Sequence, residues 1–296
     1  MPVIWRLVDG KKGHERQSSG LVQALGKLCE CSVHDLNADL STSLMTMFGL
    51  RRRRFPSPRP DLIIGAGRKC QLPLILSKRA FGGQTIYLMR PGLPTRLFDL
   101  CVIPRHDAPS PGDNIEQSEG VLNDLSPSKE PDPARGTILI GGPSKHHAWD
   151  HEALLSQVRR LVSEDQEITY SVTTSRRTPH QTVEALRGMS NINYVAPENT
   201  SDNWLGIALA TASRTWVSAD SVSMMYEALS AGTRLGIIAV PERRESRITR
   251  VSHDLVARGY ASTFETWLKS PGLPSVAPLQ EAERIAQIVQ QRFNLS

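Results

Sequence analysis

The chain has little of what marks several large protein classes. Only four of its 296 residues are cysteine and 5% are aromatic. Cys29, Cys31, Cys70 and Cys101 lie among apolar neighbours. Cys29-x-Cys31 has neither redox spacing nor a second pair with which to hold zinc, so reduced, buried thiols are expected. No apolar run reaches the roughly 20 residues of a membrane-spanning helix. The start, MPVIWRLVDG, is no signal peptide, because Arg6 and Asp9 stand where an apolar stretch would lie. Acidic excess is missing too: Lys and Arg number 35 against 30 Asp and Glu, for a net charge of +5. That balance suits an anionic partner without choosing among nucleotide, membrane and nucleic acid.

What is present is alternation. The runs VIWRLV (3–8), CSVHDL (31–36), DLIIGA (61–66), TIYLM (85–89) and LCVIP (100–104) read as strands, with helical patterns between them. A polar, proline-containing stretch over 110–136 interrupts the pattern. It restarts with TILIGG (137–142), ITYSVT (168–173), INYVA (192–196), TWVSA (215–219) and LGIIAV (235–240). Asp150 is placed to cap the helix that follows it, and Pro179 to start another. Alternation in both halves predicts an α/β fold of two parallel-sheet, Rossmann-like domains, for which 296 residues are ample. The expected division is 1–118, a linker over 119–136, 137–274, and a C-terminal helix over 275–296 that packs back on the N-terminal domain. Ligands of such sheets collect at the carboxyl ends of the strands, so the loops after strands carry most weight.

The first such loop, DGKKGHERQSSG (9–20), has two glycines and a helix expected from about Glu15. It is neither a dinucleotide fingerprint nor a P-loop. His14 there reads either as a general base or, with Asp9, as a tie for the turn. After the third strand, Gly65, Gly67 and Arg68 read as an anion-binding tip or as a plain tight turn. Arg90, Arg105, His106 and Asp107 also follow strands, and the adjacent His106–Asp107 pair makes a poor catalytic couple. In the second half, ILIGGPSKHHAWD sets Gly142, Ser144 and Lys145 after a strand, in the manner of an anion loop. His146 and His147 lack further ligands at metal spacing. SVTTSRRTP offers Ser175, Arg176 and Arg177, a diphosphate grip or a solvated turn. In SADSVSMMYEA, Ser221 and Ser223 stand where helix amides are free, able to cap the helix or to hold a phosphate. Asp220 there reads as a cap or an anchor. Glu227, among apolar neighbours, is placed to accept from ribose hydroxyls.

Together DGKKGHERQ, IGAGR, IGGPSKHHAW, SRRTP and SADSVSMMYEA resemble the signature blocks of the mitochondrial fission (elongate mitochondria) family, in order along nearly the whole chain. Bacterial members of that family have been described as nucleoside-diphosphate-sugar epimerases. The family is similar in pattern to GT-B glycosyltransferases, which implies two Rossmann-like domains facing across a cleft. The resemblance implies an acceptor on the N-terminal domain and a nucleotide-sugar on the C-terminal one, with a helix glutamate for the ribose. It implies that helix N-termini, not a metal, hold the diphosphate, and no cofactor.

The function expected from residues and resemblance together is transfer from a nucleoside-diphosphate sugar, a uridine one, to a lipid-linked or envelope saccharide. His14 is the expected base, with Lys11, Gly13 and Arg68 beside it. Gly142, Ser144, Lys145, Ser175, Arg176, Arg177, Ser221 and Ser223 are expected around the diphosphate, and Glu227 at the ribose. Nucleotide-sugar epimerisation, or a nucleotide-binding scaffold recruiting proteins at a membrane, are the alternatives. The run Arg51–Arg54 in LMTMFGLRRRRFPSPRP suggests contact with an anionic membrane, hence a cytoplasmic protein peripheral on the inner face of the cytoplasmic membrane. Nucleic acid is not expected, because no stacking aromatics interleave with those arginines.

Overall fold

The computed structural model describes residues 1–38, 58–127, 130–200 and 203–295. The expected membrane contact through Arg51, Arg52, Arg53 and Arg54 lies outside them. In chain order the elements are β1 (Val3–Val8), α1 (Lys12–Leu28), β2 (Ser32–Asn37), β3 (Leu62–Ala66), α2 (Gln71–Phe81), β4 (Gln84–Leu88), β5 (Leu100–Pro104) and β6 (Ile115–Ser118). There follow β7 (Asp132–Ile140), α3 (His151–Glu164), β8 (Thr169–Thr174), α4 (His180–Arg187), β9 (Asn193–Val195), α5 (Trp204–Thr211), β10 (Ala212–Ser218) and α6 (Val222–Ser230). The last are β11 (Arg234–Ile238), α7 (Thr249–Ala257), β12 (Ala261–Thr263), α8 (Phe264–Lys269) and α9 (Glu281–Phe293).

These elements form two units, one of Met1–Asp124 with Gln280–Ser296 and one of Leu125–Leu279. Each holds a six-stranded sheet, in the orders β2-β1-β3-β4-β5-β6 and β12-β11-β10-β7-β8-β9. Among the described residues every pairing within the two sheets is parallel, as the α/β reading predicted. A parallel sheet must be covered on both faces, and the central strands show it: every residue of β3 and β5 is buried.

In the first unit, one face of the sheet packs Ile4, Ile64 and Leu88 against Leu21 and Leu25 of α1 and Ile285 and Val289 of α9. The other packs Trp5, Ile63 and Tyr87 with Leu74 of α2, and the Trp5 and Phe81 rings meet edge to face at 5.0 Å. In the second unit Trp216 is fully buried, with the Trp267 ring of α8 at 5.3 Å. Asp150 caps α3 by accepting from the Ala153 amide at 3.0 Å.

Topology singles out one place in each sheet. In the first, the chain runs from β1 to β2 and returns to lay β3 on the opposite side of β1. In the second it runs from β7 through β8 and β9, then returns to lay β10 on the opposite side of β7. At such a reversal the connections depart in opposite directions and leave a crevice at the carboxyl ends, where ligands of open α/β sheets bind.

Two buried thiols are found, Cys70 and Cys101; Cys29 and Cys31 are instead half-buried, with their sulfurs 3.5 Å apart. The Cys29-x-Cys31 run sits where α1 has ended and β2 has not yet begun, so no neighbouring layer covers it fully.

Candidate functional site

At the first reversal β1 is followed by Asp9 and then by Gly10 at φ +79°. Helix α1 begins at Lys12, earlier than the Glu15 expected, so Gly13 and His14 are helical and not part of a loop. Lys11 is the residue before the helix, and its side chain makes no cap. The Asp9 side chain is 1% exposed and its Oδ2 lies 2.8 Å from His14 Nδ1. A carboxylate only accepts, so Nδ1 carries the proton, and in the neutral ring Nε2 is left with a lone pair. The second Asp9 oxygen accepts from the Lys11 amide at 3.1 Å. His14 is therefore fixed in tautomer and orientation, while 22% of its side chain stays exposed.

The turn after β3 closes this site from the other side. Gly67 lies at φ +87°, and a Cβ there would stand 2.2 Å from His14 Nδ1 and 2.8 Å from Asp9 Oδ2. No other residue type leaves room for the imidazole. Arg68, next in sequence, is exposed. Where β4 ends, Met89 adopts φ +101°, a conformation costing a non-glycine residue about 1–3 kcal/mol. The chain thereby turns so that Arg90 Nη1 donates to the Asp107 carbonyl at 2.8 Å, beyond the end of β5.

At the second reversal the organising group is Asp220, whose side chain is fully buried. Its carboxylate accepts from the Gly142 amide at 2.9 Å, Ser218 Oγ at 2.7 Å, Ser221 Oγ at 3.2 Å and Arg177 Nη2 at 3.0 Å. Burying a carboxylate is tolerated only with such saturation by donors. Asp220 is thus an anchor and not a helix cap: it ties the end of β10 to the loop after β7. Gly141 and Gly142 are required by the same packing. A Cβ on Gly141 would meet Asp220 Oδ2 at 2.0 Å, and one on Gly142 would meet the Arg177 backbone at 2.5 Å.

Neither serine caps α6 either. Ser221 precedes the helix without a side-chain cap bond, its hydroxyl being given to Asp220, and Ser223 is exposed in the first turn. The N-terminus of α6 therefore keeps its partial positive charge, and no side chain of these serines takes its first amides. Glu227, in the second turn of α6, is 8% exposed.

Arg177 and Arg176 have different surroundings. Arg177 is committed to the loop, donating to the carbonyls of Gly142 at 2.7 Å and Pro143 at 3.2 Å as well as to Asp220. Arg176 is exposed. Ser175 Oγ accepts from the Arg177 amide at 3.1 Å, and Thr178 Oγ1 donates to the Gly141 carbonyl. Ser144 Oγ accepts from the amides of His146 and His147, both at 3.1 Å, so its oxygen holds the turn and its proton alone remains to offer a ligand. Lys145 is exposed beside it. His147 is fully buried, and neither ring nitrogen has a hydrogen-bond partner among the described residues. Burial lowers its pKa against the opposing pull of Asp220 and Glu242, with His146 and Arg177 adding to the lowering.

The structure thus brings Gly142, Ser175, Arg177 and Ser221 into one bonded assembly, with Ser144 and Lys145 on its glycine loop and Ser223 and Glu227 on its helix. In the first unit it joins His14 to the turn carrying Arg68. Sequence reasoning assigned Ser218 no site role, read Gly67 only as part of an anion-binding tip or a tight turn, and left Asp9 as a tie for the turn. Their position at strand ends was the one signal available.

Comparison with known proteins places this architecture. The chain is 24% identical to uncharacterized protein RP120 of Rickettsia prowazekii (strain Madrid E), with 97% of each chain covered. Its fold is similar to that of the glycotransferase of kitacinnamycin, at 12% identity and a TM-score of 0.57, covering 99% of both chains. It is also similar to the UDP-GlcNAc 2-epimerase of Methanocaldococcus jannaschii, solved with UDP-GlcNAc and UDP. There the identity is 12% and the TM-score 0.53, over 98% of this chain and 100% of that one. These likenesses fix a GT-B-like fold. The sequence model described as mitochondrial fission ELM1 matches residues 12–293, and the chain belongs to that family.

Proposed function

We propose that the protein is a GT-B-type glycosyltransferase that uses a nucleoside-diphosphate sugar, a uridine one, on a lipid-linked or envelope saccharide. The observation that carries this reading is the uncapped start of α6 facing a glycine loop locked by Asp220 and Arg177. Helix amides there meet the charge that develops on a departing diphosphate, and preorganised donors of this kind supply much of the stabilisation in group transfer. Lys145, Arg176, Ser144 and Ser223 add charge and hydroxyls, and Glu227 accepts from the ribose. In the first unit His14 Nε2 takes the proton of the acceptor hydroxyl. Asp9 keeps Nδ1 protonated and supports the imidazolium that results. A peripheral place on an anionic membrane, through Arg51–Arg54, belongs to the same proposal and is read by vesicle flotation of the fourfold alanine variant.

Calorimetric titration with UDP, UDP-GlcNAc and other nucleoside diphosphates tests the nucleotide half. Absence of binding by all of them ends the enzyme reading. A second reading has its own support: the fold is also that of a UDP-GlcNAc 2-epimerase. Proton NMR of UDP-GlcNAc incubated with the protein and no acceptor separates the two. Appearance of an isomeric sugar nucleotide favours epimerisation. An unchanged donor that is consumed only when a saccharide acceptor is added favours transfer. Binding without either reaction leaves the scaffold alternative.

A further inference from the structure

The carboxyl edge of the first sheet carries positive charge that the His14–Asp9 pair does not use. Lys11 follows β1, Arg68 and Lys69 follow β3, Arg90 follows β4 and Arg105 follows β5. Those four strands are successive neighbours in the sheet, so their ends deliver five exposed cations to one edge about 14 Å long. Two contacts tie the ends together: the approach of Gly67 to His14 joins β1 and β3, and the Arg90–Asp107 bond joins β4 and β5. Two nearby acids, Asp9 and Glu15, are spent elsewhere. Asp9 holds His14 and the Lys11 amide, and Glu15 accepts from the Gly10 amide at 3.0 Å. Among the described residues no carboxylate pairs with Lys11, Arg68, Lys69 or Arg90, and Arg105 has only Glu119 at 3.9 Å.

Like charges gathered on separate strands repel one another, and a multiply charged anion relieves that repulsion. We infer that this edge binds a phosphate or diphosphate carried by the molecule whose hydroxyl faces His14. A single carboxylate would need one arginine fork; cations arriving from four strands suit an anion with several oxygens and more than one charge. The inference rests on the acceptor role given to His14, and it narrows the acceptor to a phosphorylated one.

The test is calorimetric titration of the full chain with inorganic pyrophosphate at low salt. Three proteins are compared: the unaltered chain, Arg68→Glu/Lys69→Glu, and Lys145→Glu/Arg176→Glu in the second unit. The expected result is two pyrophosphates per chain, the first variant losing one or binding it at least tenfold more weakly, and the second variant losing the other. One pyrophosphate, lost only in the second variant, overturns the edge site and leaves the nucleotide reading intact. Loss only in the first variant supports the edge site and removes the nucleotide reading. No binding overturns both. Arg68→Lys, which keeps the charge, should bind within a few-fold of the unaltered chain, and a melting curve checks that each variant folds. Flotation with phosphatidylglycerol vesicles identifies the source. Capture that Arg68→Glu/Lys69→Glu abolishes, alongside pyrophosphate binding, assigns a lipid headgroup; pyrophosphate binding without capture assigns a soluble phosphate compound. Capture without pyrophosphate binding overturns the site.

Discussion

The two units reverse strand order beside their first strand, and at each reversal a buried aspartate holds a nitrogen side chain against a glycine turn. In the first unit Asp9 holds His14 beneath Gly67; in the second Asp220 holds Arg177 beside Gly141 and Gly142. The frameworks match, but the nitrogen partners do not. An imidazole exchanges a proton near neutral pH, whereas a guanidinium stays charged. Under the proposed function the first reversal moves a proton and the second holds shape and charge, so that one architecture, used twice, gives a chemical half and a binding half.

The sharpest way to break that comparison is to remove each aspartate. Asp220→Ala leaves Arg177 without its counter-charge, together with the Gly142 amide and the Ser218 hydroxyl. The Arg177 side chain is nearly half exposed and can turn to water. The buried Gly142 amide and Ser218 hydroxyl cannot, at a cost of about 1–3 kcal/mol each, read by urea denaturation, and UDP binding should vanish with the loop. Asp9→Ala should cost less, about 1–3 kcal/mol, because the partly exposed His14 ring can reach water. Equal losses, or a larger one at Asp9, would mean that both reversals are structural anchors and that the division into halves is wrong.

Glycine substitutions separate the halves by function. Gly67→Ala puts a methyl where His14 Nδ1 stands. A displaced base should lower turnover about a hundredfold while UDP affinity holds. Gly142→Ala collides with the Arg177 backbone and should do the reverse, weakening UDP first. If Gly67→Ala instead abolishes UDP binding with turnover per bound donor unchanged, His14 is not the base. A smaller effect is expected from Glu227→Gln, about 1–1.5 kcal/mol in UDP affinity or roughly tenfold. That loss should disappear when 2′,3′-dideoxy-UDP replaces UDP, since the proposed partners of Glu227 are the ribose hydroxyls.

How far the sequence reveals these halves depends on what kind of information each part needs. The buried strands were legible: LIIGA and LCVIP are continuous apolar runs because both faces of a parallel sheet are covered. Edge elements were not. β6, IEQS, lies inside the stretch read as a polar break, and its partly exposed side chains need no apolar run. β7 starts at Asp132, before TILIGG, because its first residues, DPAR, are exposed and are fixed by pairing with β10 and β8. Within the sites, glycines and basic residues after strands were visible one loop at a time. What joins them was not, since Gly67 and His14 meet only once β3 crosses back beside β1. Asp220 and Arg177 look like two helix-entrance residues until the fold makes them one ion pair. The sequence showed which residues stand at strand ends; the three-dimensional pairing decided which are structural and which are left for a ligand.

The finest test asks whether the binding half is also silent toward protons. His147, on the same loop as Gly142, is the group to follow. Its ring is fully buried, and burial lowers its pKa from the ordinary 6.5, with Asp220 and Glu242 pulling the other way. A histidine whose folded pKa lies below its unfolded one is neutral in both states above about pH 6.5, and contributes no pH dependence there. As pH falls below that value the unfolded chain takes up a proton that the folded chain refuses, so stability declines. One such group limits the decline to about 1.4 kcal/mol per pH unit, ending where the folded ring is itself protonated. Urea denaturation between pH 7.5 and 5 should show this slope, and His147→Leu should remove it. The same titration followed through UDP affinity sharpens the comparison further. If His147 only packs the loop, affinity at pH 7.5 is unchanged in His147→Leu and the second reversal is purely a holding site. If affinity in the unaltered chain instead rises as pH falls toward 6 and the leucine variant abolishes that rise, the protonated ring joins the anion site, and the binding half has a titrating member after all.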